Sequence, residues 1–568
     1  MSILVGTILN LMASSGEKVF HELDENTKRP DAVQKELLDK ILSNMADTEI
    51  GSRLELDKIK TVEDFQQRVP LMDYDAYGEY IDRMLKGEKN VLTSTPIVHF
   101  NETSGTLGAP KAIPVTEDHI SVFAKINSKY VNYLAKKAFG TDWMYGKGLS
   151  LSEGTYKTLP TGVTYGCASS LHTARMQKAM PFMKMDSMDL MYTSPKEARQ
   201  PSPGTQTRYL HARFALVERD IRYGNATFSS YLLELFRYIE KNHELLCNDI
   251  ENGTISTDSV PKDVRIEIEK RLKPDPKRAA ELRAIFKEGF DAPIARKLWP
   301  KLKYFICVGG AGFAPYTDQL RKRYLGNDVH FLFLGLSASE AMISVPISVD
   351  NPDSVFLPDA TFFEFIPVIN GESDISQGIR LLGELETGKQ YEVVISNVSG
   401  LLRYRIKDVI EVTGFYNKTP LMRFVKRSGA AISMYGEKTT EEALRETAFG
   451  ACREQNLELY DYCVCPYGHS APGKYIFLYE LNGDYKNKLN IEQLRDTTEK
   501  LLEEANPVYR AVVEDGRCGE LEVRILQEET FLLYRDLMIA KGKSAAQLKP
   551  VHVTNTPFQE KFFLGLAE

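Results

Sequence analysis

Residues 302–341 read LKYFICVGGAGFAPYTDQLRKRYLGNDVHFLFLGLSASEA. Two nearly unbroken apolar runs, 302–308 and 329–334, each end in glycine, and an amphipathic stretch at 316–324 separates them. A strand with one wet face would alternate; a continuous apolar run marks a strand covered on both faces, as in a helix-flanked parallel sheet. Ligands of such sheets bind beyond the carboxyl ends of the strands. The turns after Val308 and Leu334 are therefore expected to face one site. The expected class is α/β.

Upstream, residues 100–114 read FNETSGTLGAPKAIP. Thr103, Ser104 and Thr106 set three hydroxyls around Gly105, Gly108 adds a second permissive joint, and Lys111 brings a cation. Inward-facing N–H groups with such hydroxyls and an ammonium form a receptor for a polyphosphate. Glycine allows the close approach this needs. The spacing GTLGAPK is not a Walker A loop, which requires GxxxxGK followed by Ser or Thr. An ordinary polar turn between a strand and a helix has the same composition, so partners elsewhere must decide.

The chain has 568 residues, 43% of them hydrophobic, enough for a large core and two to four domains. A net charge of −7 and no evident basic face argue against a nucleic-acid partner. Seven scattered cysteines with no CxxC pair suit neither a disulfide framework nor a structural zinc site, and point to reduced thiols in the cytoplasm. The N-terminal run MSILVGTILNLM lacks a basic residue ahead of it and contains Asn10. It is expected to be a first helix, with Ile3, Leu4, Ile8, Leu11 and Met12 inward, and not a signal peptide. No stretch has the length and apolarity of a membrane span.

Helical periodicity is clear at 31–45, 61–68, 116–133 and 228–246. The methionine- and tyrosine-rich region 141–225 suits an irregular apolar pocket or plain core filling. Within it Arg175, Arg208 and Arg213 are candidate partners for a carboxylate. β-rich sequence runs from 361 to about 415, and the remainder supports a small α+β domain of two strands (474–480, 520–525), two helices (440–453, 491–505) and a tail. The expected architecture is a large N-terminal compound domain, 1–426, with β-sheets flanked by helices, and a small mobile C-terminal α+β domain, 427–568.

Four further segments carry chemistry. Glu340, on the turn GLSASEA, can hold Mg²⁺ beside phosphates or merely cap a helix. In RYRIKD, strand alternation places Arg403 and Arg405 on one face, and Asp408 can accept both hydroxyls of a ribose or join an ion pair with Arg405 and Lys407. Arg427, Ser428 and Gly429 form a hinge candidate. Lys438 precedes a helix start, and Lys549 lies in GKSAAQLKPVHV, where its stem could swing into a cleft; either could equally be a solvated surface cation.

Together these segments resemble the auxin-responsive Gretchen Hagen family of acyl acid–amido synthetases, a branch of the adenylate-forming superfamily. The matching stretches are FQQRVPLMDYDAYGEYIDRMLKGE (65–88), TSGTLGAPKAIP (103–114), ASE (338–340), FFEFIP (362–367), ETGKQYEVVIS (386–396), SGLLRYRIKD (399–408), GEKTTEEAL (436–444) and QLKP (547–550). The resemblance implies that ATP and a carboxylic acid give an acyl-adenylate, which an amino acid amine attacks. It implies that Ser104, Gly105 and Thr106 contact ATP phosphates and that Gly310 and Ala311 approach adenosine. Gly335, Ser337, Ala338 and Ser339 would line adenine, Glu340 the metal and Asp408 the ribose. Lys438 and Lys549 would act catalytically by neutralising phosphate charge. The implied partners are ATP, Mg²⁺, an acid and an amino acid, with no nucleic acid or membrane, in a monomer.

Two positions depart from the family pattern: Lys407 stands where the family has Gly, and Leu336 where it has Tyr. Leu covers a base face without quadrupole-specific stacking. Two other readings stay open, an acyl-CoA or carrier thioester ligase and a non-catalytic nucleotide-binding homologue.

Overall fold

The computed structural model describes residues 2–103, 111–177, 187–202, 205–429 and 431–568. The chain divides into two compact units, Met1–Val425 with Ser544–Gln547, and Lys426–Lys543 with Leu548–Glu568.

In the larger unit, the runs at 302–308 and 329–334 form the parallel strands Tyr304–Val308 and His330–Phe333, paired with Phe305 opposite Phe331. The sheet continues through Ile221–Phe228 to Lys147–Ser150. Phe236 of the helix Ser229–Asn252 meets Phe305 edge-on, at 6.4 Å between ring centroids. Tyr223, Tyr304 and Leu332 join Trp143 and the first helix in a separate apolar cluster. Helical cover on both faces explains why these strands read as unbroken apolar runs.

The first helix, Ser2–Lys28, turns a different face inward from the one expected. Val5, Leu9, Ala13, Val19 and Leu23 are buried, whereas of the expected set Ile3, Leu4 and Leu11 are exposed and Ile8 and Met12 half-buried, Met12 packing on the same cluster. Packing distance selects the face: a Cβ on Gly16 would lie 2.1 Å from the Lys129 carbonyl oxygen. Only a stripe of small residues allows that approach.

A second sheet runs Ala112–Thr116, Ile97–Glu102, Thr164–Gly166, Lys157–Thr158. The third and largest is ordered Glu372–Ser373, Phe362–Ile369, Gln390–Ser396, Tyr404–Tyr416, Thr419–Arg427, Ser354–Phe356, Ser344–Pro346. Its apolar face packs on the N-terminal helices: Phe363, Phe365, Val393 and Ile395 cluster with Ile41, Phe65, Tyr77 and Ile81. Each such burial contributes about 1.5–3 kcal/mol. One of those helices, Val62–Arg68, starts in a capping box between Thr61 and Asp64.

Arg403 lies just outside the strand Tyr404–Tyr416, with φ +44°, and its guanidinium is buried. It bonds Glu364 at 2.9 Å and the carbonyls of Gln66 (2.8 Å) and Val69 (2.7 Å). Arg405 holds Glu392 bidentately at 2.7 and 2.9 Å, so its carboxylate partner is Glu392 and not Asp408. Regular alternation stops shortly after: Arg405 pairs with Val394 and Val409 with Glu392, a bulge centred on Lys407 at φ +64°.

The smaller unit carries the antiparallel pair Glu458–Tyr467 and Lys474–Asn482, with Glu522–Ile525 parallel to the latter. Leu444, Leu494 and Leu502, from the helices Glu441–Glu454 and Ile491–Ala505, cluster with Tyr462, Phe477 and Tyr479 of the sheet. The strand Glu458–Tyr467 was not expected, and the supposed tail contains the helices Thr530–Ala540 and Pro557–Gly565. No helix among the described residues is long and apolar enough to cross a membrane. All seven cysteines are free thiols.

The buried Arg403–Glu364 pair sets a stability test. Arg403→Met should cost about 3–5 kcal/mol, because Glu364 stays buried without its partner. Urea unfolding would show this, and Arg403→Met with Glu364→Leu should recover much of it.

Candidate active site

The hairpin Ile97–Glu102/Ala112–Thr116 carries the proposed phosphate loop, which therefore joins two antiparallel strands and not a strand and a helix. Thr103 closes it twice. Its N–H donates to the Lys111 carbonyl, and its Oγ1 accepts from the Lys111 N–H, both at 3.0 Å. The Lys111 ammonium stands 4.9 Å from the centroid of the Tyr74 ring, a cation–π contact at the loop's base. Ser104, Gly105, Thr106 and Gly108 lie outside the described residues.

His99, buried in the same hairpin, lies 2.7 Å from Thr164 Oγ1 through Nδ1 and 3.0 Å from the Gly166 carbonyl through Nε2. Burial pushes its pKa down to about 4. The ring is thus neutral at ordinary pH, and since a carbonyl only accepts, Nε2 carries the proton. It fastens the hairpin to Thr164–Gly166 and offers no charge to a ligand.

At the parallel strand ends, the Leu334 N–H donates to the Cys307 carbonyl at 3.0 Å, setting the two glycine turns side by side. Ala311, at φ +48°, opens a short helical turn closed by Phe313 N–H to Gly310 O at 3.0 Å. A Cβ on Gly335 would lie 2.2 Å from the Ser344 carbonyl oxygen, so only glycine fits there. Ser337 bridges Met342, and the Ala338 N–H donates to Ala341 O at 2.9 Å. This is a tight reverse turn with no helix following it, so Glu340 is not a helix cap.

Glu340 is 5% exposed, and its Oε1 accepts from the Tyr404 hydroxyl at 3.2 Å. Two amides hold the backbone around it: Asn101 Nδ2 donates to Ser339 O (2.7 Å) and Asn397 Nδ2 to Glu340 O (2.8 Å). Asn397 Oδ1 accepts from the N–H groups of Ser399 (3.0 Å) and Leu401 (3.2 Å). Three sheets thus converge on Ser339 and Glu340. Asn101, Asn397 and Tyr404 went unread as site residues in the sequence; the only signal was Asn397 opening the turn NVSG.

Asp408 is buried beside the Lys407 bulge, while the Lys407 side chain is exposed. Leu336 is half-buried against the core of the largest sheet. The pocket arginines are engaged elsewhere. Arg175 grips Glu117, Arg208 bonds Glu234 at 2.6 Å, and buried Arg213 donates to the Asp249 carbonyl at 2.8 Å.

Lys438 and Lys549 belong to the smaller unit, and both are exposed. Lys438, at φ +47°, leads into Thr440, whose Oγ1 caps the helix Glu441–Glu454 by accepting from the Ala443 N–H. At the hinge candidate, Gly429 takes φ +76°.

Among the described residues no three His, Cys, Asp or Glu side chains cluster as a metal cage. Mg²⁺ carried on nucleotide phosphates uses one or two carboxylates and no cage. The single buried carboxylate of Glu340 fits that partial role.

The GH3 family N-terminal domain matches residues 19–330, its central domain 354–427 and its C-terminal domain 441–557. The chain belongs to the GH3 family. Among its GH3 relatives is indole-3-acetic acid-amido synthetase GH3.4 of Arabidopsis thaliana, 29% identical over 567 residues, which cover 96% of this chain and 92% of the relative. The solved structure of GH3.15 acyl acid amido synthetase superposes with a TM-score of 0.82 at 25% identity, covering 97% of this chain and 96% of that one. A 2-hydroxyisobutyryl-CoA ligase in its postadenylation state shares the fold at a TM-score of 0.52 and 12% identity, over 95% and 92% of the two chains. The mixed helix and sheet architecture is thus that of GH3 and adenylate-forming enzymes.

In this GH3 chain Asn397→Ala strips one donor and two acceptances from buried backbone. It should cost about 1–3 kcal/mol, measured by denaturant unfolding.

Proposed function

We propose that the chain is an ATP-dependent acyl acid–amido synthetase, a ligase that forms an amide through an acyl-adenylate. A carboxylate oxygen of the acid attacks the α-phosphorus of ATP, the bond to the bridging oxygen breaks, and pyrophosphate leaves. An amino acid nitrogen then attacks the acyl carbon, loses a proton, and AMP leaves. The match to all three GH3 domains carries this reading.

The residue roles follow from that reading and from the chemistry of each group. Ser104, Gly105 and Thr106 would hold the phosphates on the loop that Thr103 pins at its ends. Gly310 and Ala311 would approach adenosine, and Gly335, Ser337, Ala338 and Ser339 would line the base, with Leu336 as an apolar cover. Asp408 would accept from the ribose hydroxyls. Glu340 would hold Mg²⁺, which would supply positive charge where pyrophosphate departs. Lys438 and Lys549 would offset phosphate charge, with rotation about residues 427–429 separating the half-reactions.

One chain is the active unit in this proposal, and neither nucleic acid nor a membrane is its partner. A reducing cytoplasm is the setting that suits seven free thiols.

Purified protein given ATP, Mg²⁺ and a panel of acids, including indole-3-acetic and benzoic acids, should join one to an amino acid offered in competition with coenzyme A. Mass spectrometry should find the amide. A thioester without amide would make the protein a thioester ligase, and failure to bind or turn over ATP would leave a non-catalytic homologue. Lys549→Ala, Ser104→Ala and Thr106→Ala should each slow adenylation by about 10²–10³, with the fold retained.

A further inference from the structure

His552 stands three residues beyond Lys549 and is buried in the smaller unit. Its Nε2 lies 3.4 Å from Asp461 Oδ1 and its Nδ1 3.2 Å from Glu441 Oε1. The ring stacks on Tyr462, with centroids 4.6 Å apart and planes 7° from parallel. An imidazolium donates from both nitrogens, and a cation on an aromatic face is favourable. Asp461 is as buried as the ring, whereas Glu441 is solvent-facing, so Asp461 is the stronger partner.

The main chain fixes the same segment. The Val464 N–H donates to the His552 carbonyl at 2.8 Å, and the Thr554 N–H to the Val464 carbonyl at 3.0 Å. Residues 552–554 thereby extend the sheet along Glu458–Tyr467. Glu441 is the first residue of its helix, three residues after Lys438. His552 therefore joins the two segments that bear the two lysines.

We propose that His552 is a positioning residue: as an imidazolium between Asp461 and Glu441 it ties the Lys549 segment to the Lys438 segment, and loss of its proton loosens that tie. The proposal rests on the adenylating role given above to the lysines. The titratable and charged groups that face the ring are Asp461 and Tyr462 on the strand and Glu441 on the helix, with Arg445 and Lys549 acting on Glu441. Burial works against the ring's charge, but the hydrogen bonds and charges of Asp461 and Glu441 outweigh it and raise the pKa from 6.5 to about 9. Glu441 is correspondingly lowered, first by its bond to His552 and more weakly by Arg445 and Lys549. A group whose pKa rises on folding stabilises the fold fully below its unfolded value of 6.5 and loses that contribution as pH climbs through about 9.

The test begins with full-length protein carrying carbon-labelled histidine, the His552 resonance being assigned by its loss in His552→Gln. NMR titration should place its pKa near 9, and Asp461→Asn should lower it. Hydrogen exchange at Val464 and Thr554, corrected for intrinsic rate, should accelerate as pH passes that value. A pKa at or below 6.5, or exchange indifferent to pH, overturns the proposal whatever the enzyme does. In pyrophosphate exchange with ATP and an accepted acid, His552→Gln should lower kcat about tenfold at neutral pH with the KM for ATP within about twofold. It should also lose the wild-type alkaline decline. If Lys549→Ala abolishes exchange while His552→Gln keeps the wild-type rate and pH profile, the positioning role is wrong and the lysine's role stands. If Lys549→Ala exchanges normally, the lysine's role falls and the positioning proposal with it, whatever the NMR shows of the ion pair.

Discussion

The amides of Asn101 and Asn397 carry the hydrogen bonds on which the proposed nucleotide site depends. Each donates to a carbonyl of the turn at Ser339 and Glu340, which leads from the parallel strand His330–Phe333 into Ser344–Pro346 of the largest sheet. A reverse turn alone could not hold a buried carboxylate in fixed orientation. Anchored from two directions, with Tyr404 bonding Oε1, Glu340 is set before any ligand arrives. Preorganisation of this kind is what electrostatic stabilisation of a departing pyrophosphate demands.

Charge is divided accordingly. The arginines nearest in sequence to Asp408 are committed to structure, Arg403 to Glu364 and Arg405 to Glu392. Lys111 is placed over Tyr74, where it steadies the base of the loop. In the proposed adenylation, positive charge for the phosphates would come from the exposed Lys438 and Lys549 and from Mg²⁺ held by Glu340.

Much of the frame was legible in the sequence because each signal was local. Unbroken apolar runs ending in glycine identified Tyr304–Val308 and His330–Phe333, and a charge-patterned period of 3.6 identified Pro30–Met45. Non-local features were not legible. The inward face of the first helix depends on how closely Gly16 meets Lys129, which no periodicity shows. Alternation held for Tyr404 and Ile406, which share the core, but not for Arg403, which stands before the strand at φ +44°, and the bulge at Lys407 ends the two-residue period ahead of Asp408; a register shift after Leu459 interrupts the strand Glu458–Tyr467 in the same way. Asn101 and Asn397 look like ordinary turn residues until the fold brings a carbonyl to each.

The central claim is that the acid attacks the α-phosphorus. ATP labelled at that phosphorus, incubated with an accepted acid and no amine, should give a labelled acyl-adenylate and an equal amount of unlabelled pyrophosphate. Release of labelled ADP with inorganic phosphate would mean attack at the γ-phosphorus, and would contradict the account.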